Sequence, residues 1–479
     1  MLLLDEPAQA EMWRAVLAVI SRYDHELGDG SSRTVLPTLS AVETRALVAG
    51  FDFMAPVAPI AAIDLVARGL REGQVHTPHP RYFGLFNPAP TTMSVAADTL
   101  VAAFNPQLAT YGHAPFAAEV ERHLVRAFAK RFGFAEGDAD GVFTSGGAEA
   151  NTTAMLTALV RAFPAYAEHG ARAIGGAPRV YASMEAHHSL EKAARMTGLG
   201  SSAVRRVPVD AAMRMRPDAL AAAIARDRAA GDAPFLIVAT LGTTSAGAVD
   251  PVAAITSIAA REKCWLHVDA AWGGGFAAIV PDLAPLREGC AAADSITIDA
   301  HKSLSVPMGA GMYVSRHAGA LGEAFAVSAE YMPRDGSRDP YASSMQWSRR
   351  FTGLKLFLSL ATAGWDGYAS ELRRQLALGT RLRERLAAEQ WLVVNTTPLP
   401  IVCFCDATRE DGTSGRFLEA MVRAVAASDN AWISMTRVTG GRRVLRACVT
   451  SLRTREADVD ALVAALGQAR ARFSTRLST

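Results

Sequence analysis

The 479-residue sequence is poor in net charge and in cysteine. Its 49 lysine and arginine residues almost balance 47 aspartate and glutamate residues, and no long run of one sign occurs. A nucleic-acid-binding protein needs a clustered basic face, so we predict no nucleic-acid partner. The five cysteines form no Cys-x-x-Cys pair. This pattern indicates buried, reduced thiols rather than a disulfide framework, and we predict no metal site.

Long apolar runs are also absent. No stretch is long enough to cross a bilayer, and the first residues carry Asp5 and Glu6 instead of the basic segment that opens a secretory signal. These absences predict a cytoplasmic protein without a membrane partner. The 50% hydrophobic and 20% charged residues are typical of a globular enzyme, and the length is too great for one ordinary core.

Apolar periodicity divides the chain into three parts. Residues 1–75 have helical spacing and little to bury alone, so we expect them to pack on the rest of the chain or on a partner subunit. Residues 76–370 alternate short apolar runs with amphipathic helices, which predicts a large α/β domain with a mainly parallel sheet. Residues 371–479 predict a small C-terminal α/β domain. The predicted strands are Gly141–Thr144, Arg179–Ser183, Val204–Val209, Phe235–Thr240, Trp265–Asp269, Ser295–Asp299, Gly311–Ser315, Trp391–Val394, Ile401–Phe404 and Val444–Val449.

A glycine-rich turn, Ser145-Gly146-Gly147-Ala148, stands between a predicted strand and a predicted helix. Glycines let the backbone approach a ligand, and the helix N-terminus offers free N–H groups to a phosphate. A tight turn without a ligand is an equal alternative. The turn matches neither the Gly-x-Gly-x-x-Gly nor the Gly-x-x-x-x-Gly-Lys pattern, which disfavours a nucleotide.

Asp269 ends a strongly apolar strand, where a carboxylate is costly unless something positive meets it. The protonated nitrogen of a pyridine ring is such a partner, and keeping that nitrogen protonated makes the ring an electron sink. Helix capping or metal binding are the alternatives. The small Ala271 and the glycines that follow it suit a flat ring better than a metal.

Lys302 follows the next predicted strand, in Asp299-Ala-His301-Lys302. A partly desolvated amine near a pyridine ring is suited to form an imine, and the position one β-unit after Asp269 strengthens that interpretation. His187 or His188 follows another strand and could stack on the flat ring. A capping or surface histidine is the alternative for both.

Together these residues resemble the group II pyridoxal 5′-phosphate (PLP)-dependent decarboxylases, the family of the aromatic-L-amino-acid, glutamate and histidine decarboxylases. The resemblance extends from about His79 to the last predicted helix. It implies a fold type I PLP enzyme that acts on an amino acid as a homodimer with shared active sites. The motifs that carry it are His79-Pro-Arg-Tyr-Phe83, Ala186-His-His-Ser189, Thr240-Leu-Gly-Thr-Thr244, His267-Val-Asp-Ala-Ala-Trp-Gly-Gly274 and Asp299-Ala-His-Lys302.

The resemblance also implies roles for single residues. Lys302 forms the Schiff base with the cofactor, Asp269 meets the pyridine nitrogen and His187 stacks on the ring. The remaining cofactor contacts fall on Gly146, Gly147, Ala148, Thr244, Ala271, Asp299 and His301. Two positions depart from the pattern: Ala148 stands where some relatives have serine, and Asp299 stands where many have asparagine.

The same resemblance predicts that Tyr331, on a loop after the lysine, protonates the carbanion left by CO₂ loss in the neighbouring subunit's site. Tyr341 is the rival for this role. Relatives with phenylalanine at this place tend toward aldehyde synthesis, so Tyr331 favours simple decarboxylation. For either tyrosine, the alternative is an aromatic loop residue without a catalytic role.

The resemblance implies a substrate pocket near Phe86, Asn87 and Gln107, with Phe83 or Phe86 as an apolar wall and Arg446 as a partner for the substrate carboxylate. A surface or structural role is an equal alternative for Arg446. The side chains of Tyr82, Phe83 and Phe86 favour an aromatic L-amino acid, and an acidic L-amino acid is the close alternative. Three rival functions stay open. They are an aldehyde synthase on the same fold, a carbon–carbon lyase of the sphingosine-phosphate type, and a PLP-fold protein kept for binding or regulation.

Overall fold

The computed structural model describes residues 2–28, 34–51, 53–135, 137–327, 339–429 and 431–475. Three helices open the chain: α1 (Glu6–Gly28), α2 (Ala41–Ala49) and α3 (Pro59–Glu72). Ser40 begins α2 with a capping box, because its side chain accepts from Glu43 N and the Glu43 side chain accepts from Ser40 N. These helices leave several large apolar side chains exposed, among them Trp13, Leu17 and Leu70.

A seven-stranded sheet forms the centre of the molecule. Its spatial order is β1-β7-β6-β5-β4-β2-β3, and β7 alone runs antiparallel to its neighbours. The inner strands β4, β5 and β6 are almost completely buried. Whereas β4 is apolar over most of its length, β5 and β6 also bury polar side chains. The strands are β1 (Asp140–Thr144), β2 (Pro178–Ser183), β3 (Val204–Val207), β4 (Ala233–Thr240), β5 (Trp265–Asp269), β6 (Ser295–Asp299) and β7 (Gly311–Ser315).

Helices cover both faces of this sheet, as the alternating pattern predicts. Proline at the first turn of α5 and α9 suits a helix start, because its missing N–H has no partner there. The helices are α4 (Thr92–Phe104), α5 (Pro115–Arg131), α6 (Gly147–Ala162), α7 (Tyr166–His169), α8 (Ser189–Met196), α9 (Pro217–Ala229), α10 (Val252–Glu262), α11 (Gly273–Ile279) and α12 (Ala320–Phe325).

The C-terminal part contains a four-stranded antiparallel sheet in the order β10-β11-β9-β8. Its elements are β8 (Trp391–Val393), β9 (Ile401–Asp406), β10 (Ser434–Arg437) and β11 (Arg443–Cys448), with α14 (Gly415–Asp429) and α15 (Glu456–Thr475) packed on them. Sequence patterns do not predict β10. Every second residue of this edge strand is exposed, so it lacks an apolar run.

The long helix α13 (Gly353–Ala388), interrupted by the non-helical residue Gly364, connects the two sheets. Leu372 packs in the core of the large sheet, whereas Leu378 packs in the core of the small one. The domain boundary that we predict at residues 370 and 371 therefore lies inside a helix that serves both cores. Among the described residues, no helix combines the length and the apolar character needed to cross a membrane.

Candidate functional site

The glycine-rich turn joins β1 to the N-terminus of α6. As the first residues of this helix, Gly147 and Ala148 keep N–H groups that no helical hydrogen bond uses. A Cβ atom on Gly147 would lie 2.9 Å from Asp299 Oδ2 and 3.1 Å from Ala271 Cβ. A Cβ on Gly146 would lie 3.1 Å from His301 Cε1. The glycines are therefore required for the turn to lie against the ends of β5 and β6.

Two buried aspartates end the neighbouring strands β5 and β6. Asp269 is 5% exposed, and its Oδ2 accepts from Asn151 Nδ2 at 2.9 Å while its Oδ1 accepts from Ala271 N at 3.1 Å. Asp299 is 1% exposed, and its Oδ2 forms an ion pair with Lys302 Nζ at 2.8 Å. The lysine and both carboxylates thus meet at one edge of the sheet, as expected for the carboxyl ends of adjacent parallel strands.

These groups line one cavity. Among its lining side chains, Thr240 Oγ1, Trp272 Nε1 and Asp299 Oδ1 are buried without a hydrogen-bond partner in the described part of the chain. Because an unpartnered buried polar atom is costly, the cavity is built for a polar ligand. The lining residues are Gly147, Ala148, Asn151, His187, Thr240, Gly242, Thr244, Asp269, Ala271, Trp272, Asp299 and Lys302.

Two histidines flank the cavity. His187 Nδ1 accepts from Ser189 N at 3.2 Å, just before α8. Desolvation of its inner side lowers the pKa of His187, which keeps the ring neutral and able to accept this bond. His301 is 6% exposed beneath the glycine turn, where burial lowers its pKa, and its Nδ1 lies 3.0 Å from Ala310 O. His188, the rival of His187, lies outside the lining and faces Glu191.

Arg446 reaches the edge of the site from β11. It is 3% exposed, and it donates through Nε to Thr244 O at 3.0 Å and through Nη1 to Gly84 O at 2.6 Å and to Ser434 Oγ at 3.1 Å. Its Nη2 has no partner in the described part of the chain, and all its acceptors are neutral. A buried cation without a carboxylate partner is unfavourable unless an anion binds beside it.

Phe83 and Phe86, the aromatic residues predicted for the substrate pocket, pack against other side chains of the described chain. Phe86 packs against Trp272, at 4.3 Å between ring centroids, and against Arg446, whose guanidinium carbon lies 4.6 Å from the ring centroid. Phe83 is fully buried in the core of the small sheet, where Cys448 N donates to its carbonyl at 2.8 Å. The ring of Phe83 is 0% exposed, so it has no free surface for a substrate in the described chain.

The remaining predicted residues lie elsewhere. Asn87 Nδ2 lies 2.8 Å from Met308 Sδ, and Gln107 Nε2 donates to Ser348 Oγ at 3.1 Å, so neither lines the cavity of the single chain. Tyr331 lies outside the described residues. Its rival Tyr341 stacks on Trp347 at 4.5 Å between centroids.

Four lining residues have no role in the sequence predictions: Asn151, which lies in no predicted motif, and Thr240, Gly242 and Trp272, which lie in the motifs of the resemblance. Asn151 is 2% exposed inside α6, in a sequence that reads as an ordinary polar first turn. The sequence does indicate its hydrogen-bond partner His267. This histidine stands two residues before Asp269 on β5, so both side chains point to the same face of the sheet. Among the described residues, no cluster of histidine, cysteine, aspartate and glutamate could hold a metal ion.

Comparison with known proteins agrees with this geometry. The sequence matches the family model described as the pyridoxal-dependent decarboxylase conserved domain over residues 60–406. It is 32% identical over 339 residues to the acidic amino acid decarboxylase GADL1 of Mus musculus, and 33% identical over 312 residues to the L-2,4-diaminobutyrate decarboxylase of Rhizobium meliloti (strain 1021). These matches cover 69% and 64% of this chain but span only 60% and 61% of the length of the two relatives.

The fold has a solved counterpart in the crystal structure of mouse CSAD in apo form. The two structures align with a TM-score of 0.90 at 25% sequence identity, covering 97% of this chain and 99% of the mouse chain. The family model covers more than half of the chain, and the mainly parallel sheet with its small C-terminal sheet is the fold expected for it. The chain belongs to the family of pyridoxal-dependent decarboxylases.

Proposed function

We propose that this protein is a PLP-dependent carboxy-lyase that converts an L-amino acid into its amine and CO₂. The observation that carries the proposal is the meeting of Lys302, Asp269 and the N-terminus of α6 around one cavity. An amine, a buried carboxylate and a phosphate-binding helix end are the three groups that PLP needs from a protein. Membership of the family supports the same cofactor.

The residues present fit PLP. The N–H groups of Gly146, Gly147 and Ala148 would hold the phosphate, and His301 would lie beneath it. Asp269 would face the pyridine nitrogen, and Lys302 would bind the aldehyde carbon. His187 and Ala271 would flank the ring, and Thr244 would lie near its 3′-oxygen. The unpartnered polar atoms of Thr240 and Asp299 indicate that the cavity expects further polar contacts.

When bound, the cofactor supplies an electron sink for the pair that the departing carboxylate leaves at Cα. Asp269 fixes a negative charge where the ring nitrogen is expected, and both of its oxygens are already oriented by N–H donors. Asp299 holds the Lys302 ammonium through the 2.8 Å ion pair. It therefore provides a place for this lysine whenever the substrate amine has replaced it.

Arg446 is the proposed partner of the substrate carboxylate. Its buried guanidinium has one free nitrogen, and no carboxylate of the described chain compensates its charge. Charge-assisted hydrogen bonds from arginine to a carboxylate are short and orienting. Phe86, packed on the guanidinium, shields it from water.

The substrate side chain is the part of the proposal with two candidates. An aromatic preference was predicted from Tyr82, Phe83 and Phe86. Tyr82 is 2% exposed and packs against Trp432, Phe83 is in the small core, and Phe86 is 6% exposed and packs against Trp272 and Arg446. The described chain therefore offers no free aromatic surface from these residues. We favour an acidic L-amino acid, as acted on by the GADL1 relative, and keep an aromatic one as the second candidate.

A proton must reach Cα after CO₂ leaves, and we assign its delivery to Tyr331 of a neighbouring subunit. We further propose a cytoplasmic homodimer. Large exposed apolar side chains on the N-terminal third of the chain support a second copy as the partner. They are Trp13, Leu17, Phe53, Met54, Leu100, Phe104 and Phe116. All five cysteines are free and buried, as expected in a reducing compartment.

The test is a panel of L-amino acids incubated with the PLP-loaded protein, with CO₂, amine, aldehyde and peroxide all measured. We expect CO₂ and amine in equal amounts, with the highest rate for an acidic amino acid. Lys302→Ala should abolish both the visible absorption of the bound cofactor and CO₂ release, whereas Lys192→Ala, an exposed lysine on α8, should change neither. A panel in which no amino acid loses CO₂ would refute the proposal. Aldehyde and peroxide in place of amine would make the protein an aldehyde synthase.

A further inference from the structure

A chain of polar side chains, buried except for the half-buried Trp265, ends on Asp269 at the cavity. It contains Trp265, His267, Ser295 and the cavity-lining Asn151, and none of these is assigned a role by the proposed reaction. In the sheet, His267 lies beside Ser295 and Asp269 lies beside Thr297, so β5 and β6 present these side chains to α6 on one face. Such a concentration of polar groups between a helix and a sheet requires an explanation, because each group has lost its water.

The hydrogen bonds fix the orientation of Asn151. A carboxylate only accepts, so the Asn151 atom 2.9 Å from Asp269 Oδ2 must be its amide nitrogen, which also donates to Ser189 Oγ at 2.9 Å. The amide oxygen then faces His267 Nε2 at 3.1 Å and Thr297 Oγ1 at 3.1 Å. All four hydrogen-bonding positions of this amide are occupied.

The orientation of Asn151 in turn fixes the proton of His267. Thr297 Oγ1 also lies 3.1 Å from His267 Nε2, but its single proton is donated to the Asn151 oxygen. Because that oxygen only accepts, His267 carries its proton on Nε2 and directs it to Asn151 Oδ1 and Thr297 Oγ1. His267 Nδ1 must then accept from the Ser295 hydroxyl at 2.8 Å, and Ser295 Oγ accepts from Trp265 Nε1 at 2.9 Å. Burial lowers the pKa of His267 to about 4, so the ring stays neutral near pH 7.

Every donor in this chain therefore points the same way. Trp265 donates to Ser295, Ser295 to His267, His267 to Asn151, and Asn151 to Asp269. Hydrogen bonds in series polarise one another, so the last N–H is a stronger donor than an isolated amide. It meets the one carboxylate that the proposed reaction requires to remain charged and immobile.

We infer that Asn151 and His267 are positioning residues, which orient Asp269 through a one-directional hydrogen-bond chain and thereby set how strongly it holds the cofactor ring. The chain fixes Oδ2 through Asn151, while Oδ1 accepts from Ala271 N. Neutral donors do this without placing a competing cation beside the carboxylate. Ser189 extends the same arrangement to His187, because its N–H donates to His187 Nδ1.

The first test uses the protein without cofactor. Histidine labelled with ¹⁵N distinguishes a protonated Nε2 from a protonated Nδ1, and a His267→Gln sample identifies the signal. We expect the Nε2–H tautomer of His267, unchanged between pH 6 and pH 8. A protonated Nδ1, or a doubly protonated ring in this range, would overturn the inference because the chain would then run in the opposite direction or be interrupted.

The second test compares four variants. Asn151→Leu should weaken PLP binding by about tenfold to a hundredfold and lower kcat with little change in KM, as outer-shell partners of a catalytic group do. His267→Leu should act in the same direction by less, and His267→Gln should restore most of the loss because its amide can still donate to Asn151. Thr153→Val, a buried polar-to-apolar change on the same helix outside the chain, is the control.

The outcomes separate this inference from the proposed function on which it rests. If Asn151→Leu and Thr153→Val have equal effects on PLP binding, or if Gln at position 267 restores nothing, the positioning role is wrong. If Asn151→Leu does not fold, the pair His267→Leu and His267→Gln decides alone. A protein that binds PLP with the expected variant effects but releases no CO₂ would refute the decarboxylase and leave the hydrogen-bond chain intact.

Discussion

The ends of β5 and β6 place two buried carboxylates side by side but satisfy them differently. Asp269 is held by neutral N–H groups that belong to the frame of the fold. Asp299 is held by the ammonium of Lys302, a side chain that is 24% exposed and able to move, and its Oδ1 has no partner in the described chain. The first arrangement gives a carboxylate of fixed orientation. The second gives a charge whose compensation depends on where the lysine is.

The difference in their partners suits the carboxylates of Asp269 and Asp299 to different tasks. A group that must meet one atom in every step benefits from donors that cannot leave. A group that must receive and release a lysine benefits from a single movable partner, because any additional fixed donor would compete with it. The four predictions below test this contrast from its largest expected consequence to its smallest.

Replacing Asp269 with asparagine should have the largest effect. The substitution keeps the size but removes the charge that faces the ring nitrogen, so we expect kcat to fall about a thousandfold. Steady-state kinetics with the best substrate of the panel measure this. Asp250→Asn is the control, because Asp250 is also buried and accepts from two backbone N–H groups, but it lies outside the cavity lining. If Asp269→Asn retained a tenth of the activity, the charge of Asp269 would matter no more than that of Asp299, which would contradict the proposed difference between the two carboxylates.

Gly147→Ala should come next. The new Cβ would lie 2.9 Å from Asp299 Oδ2, so it disturbs the β6 side of the site and one phosphate-binding N–H. We expect PLP affinity to fall about tenfold to a hundredfold, which corresponds to the loss of one charge-assisted hydrogen bond. Equilibrium titration of the cofactor-free protein with PLP measures this. Gly467→Ala, where nothing lies within 4 Å of the new atom, should leave the affinity unchanged.

Asp299→Asn should be milder, with about a tenfold loss of kcat. Asparagine keeps an oxygen for Lys302 Nζ but not the charge, so the lysine loses its ion pair and not its place. Measuring kcat for this variant beside Asp269→Asn compares the two strand ends directly. Equal losses in the two variants would mean that the fixed and the movable partner make no functional difference.

The smallest effect is on stability against acid. With its pKa lowered to about 4, His267 stays neutral in the folded protein while the unfolded chain binds a proton below about pH 6.5. The contribution of neutral His267 to the free energy of unfolding is therefore complete above that pH. It decreases as the pH falls, by about 2 kcal/mol near pH 5. Urea unfolding of the cofactor-free protein near pH 7.5 and pH 5 measures the loss, which should be smaller in His267→Gln. An equal loss in both proteins would contradict it.

Much of the large sheet could be predicted from the sequence, because its inner strands are buried on both faces. The limits of β5, β6 and β7 agree with the prediction to the residue. Lys302 and Asp269 could be placed together because both directly follow such strands. Asn151 could not, since a polar residue in the first turns of a helix is usually solvated and only the tertiary contact with β5 makes it a buried partner.

The predicted substrate pocket shows the opposite limit. Phe83 and Phe86 stand three residues apart in a segment without regular structure, and sequence periodicity does not say which way each ring points. The small sheet takes Phe83 into its core and Arg446 takes one face of Phe86. Both orientations are set by contacts with strands more than 300 residues later in the chain, and the local sequence around Phe83 and Phe86 does not reveal these contacts.

Arg446 has a consequence for how the site is assembled in time. During synthesis Asp269 at the end of β5 and Lys302 just after β6 leave the ribosome before β11. A nascent chain can therefore bring the cofactor-binding groups together before the carboxylate-binding arginine exists. The bonds from Arg446 to the carbonyls of Thr244 and Gly84 form only when the small sheet docks. Docking is thus the step that turns a cofactor-binding fold into one that can accept a substrate. Because β11 is the last strand to be synthesised, the substrate-binding arginine takes its place only after the rest of the two sheets has been made.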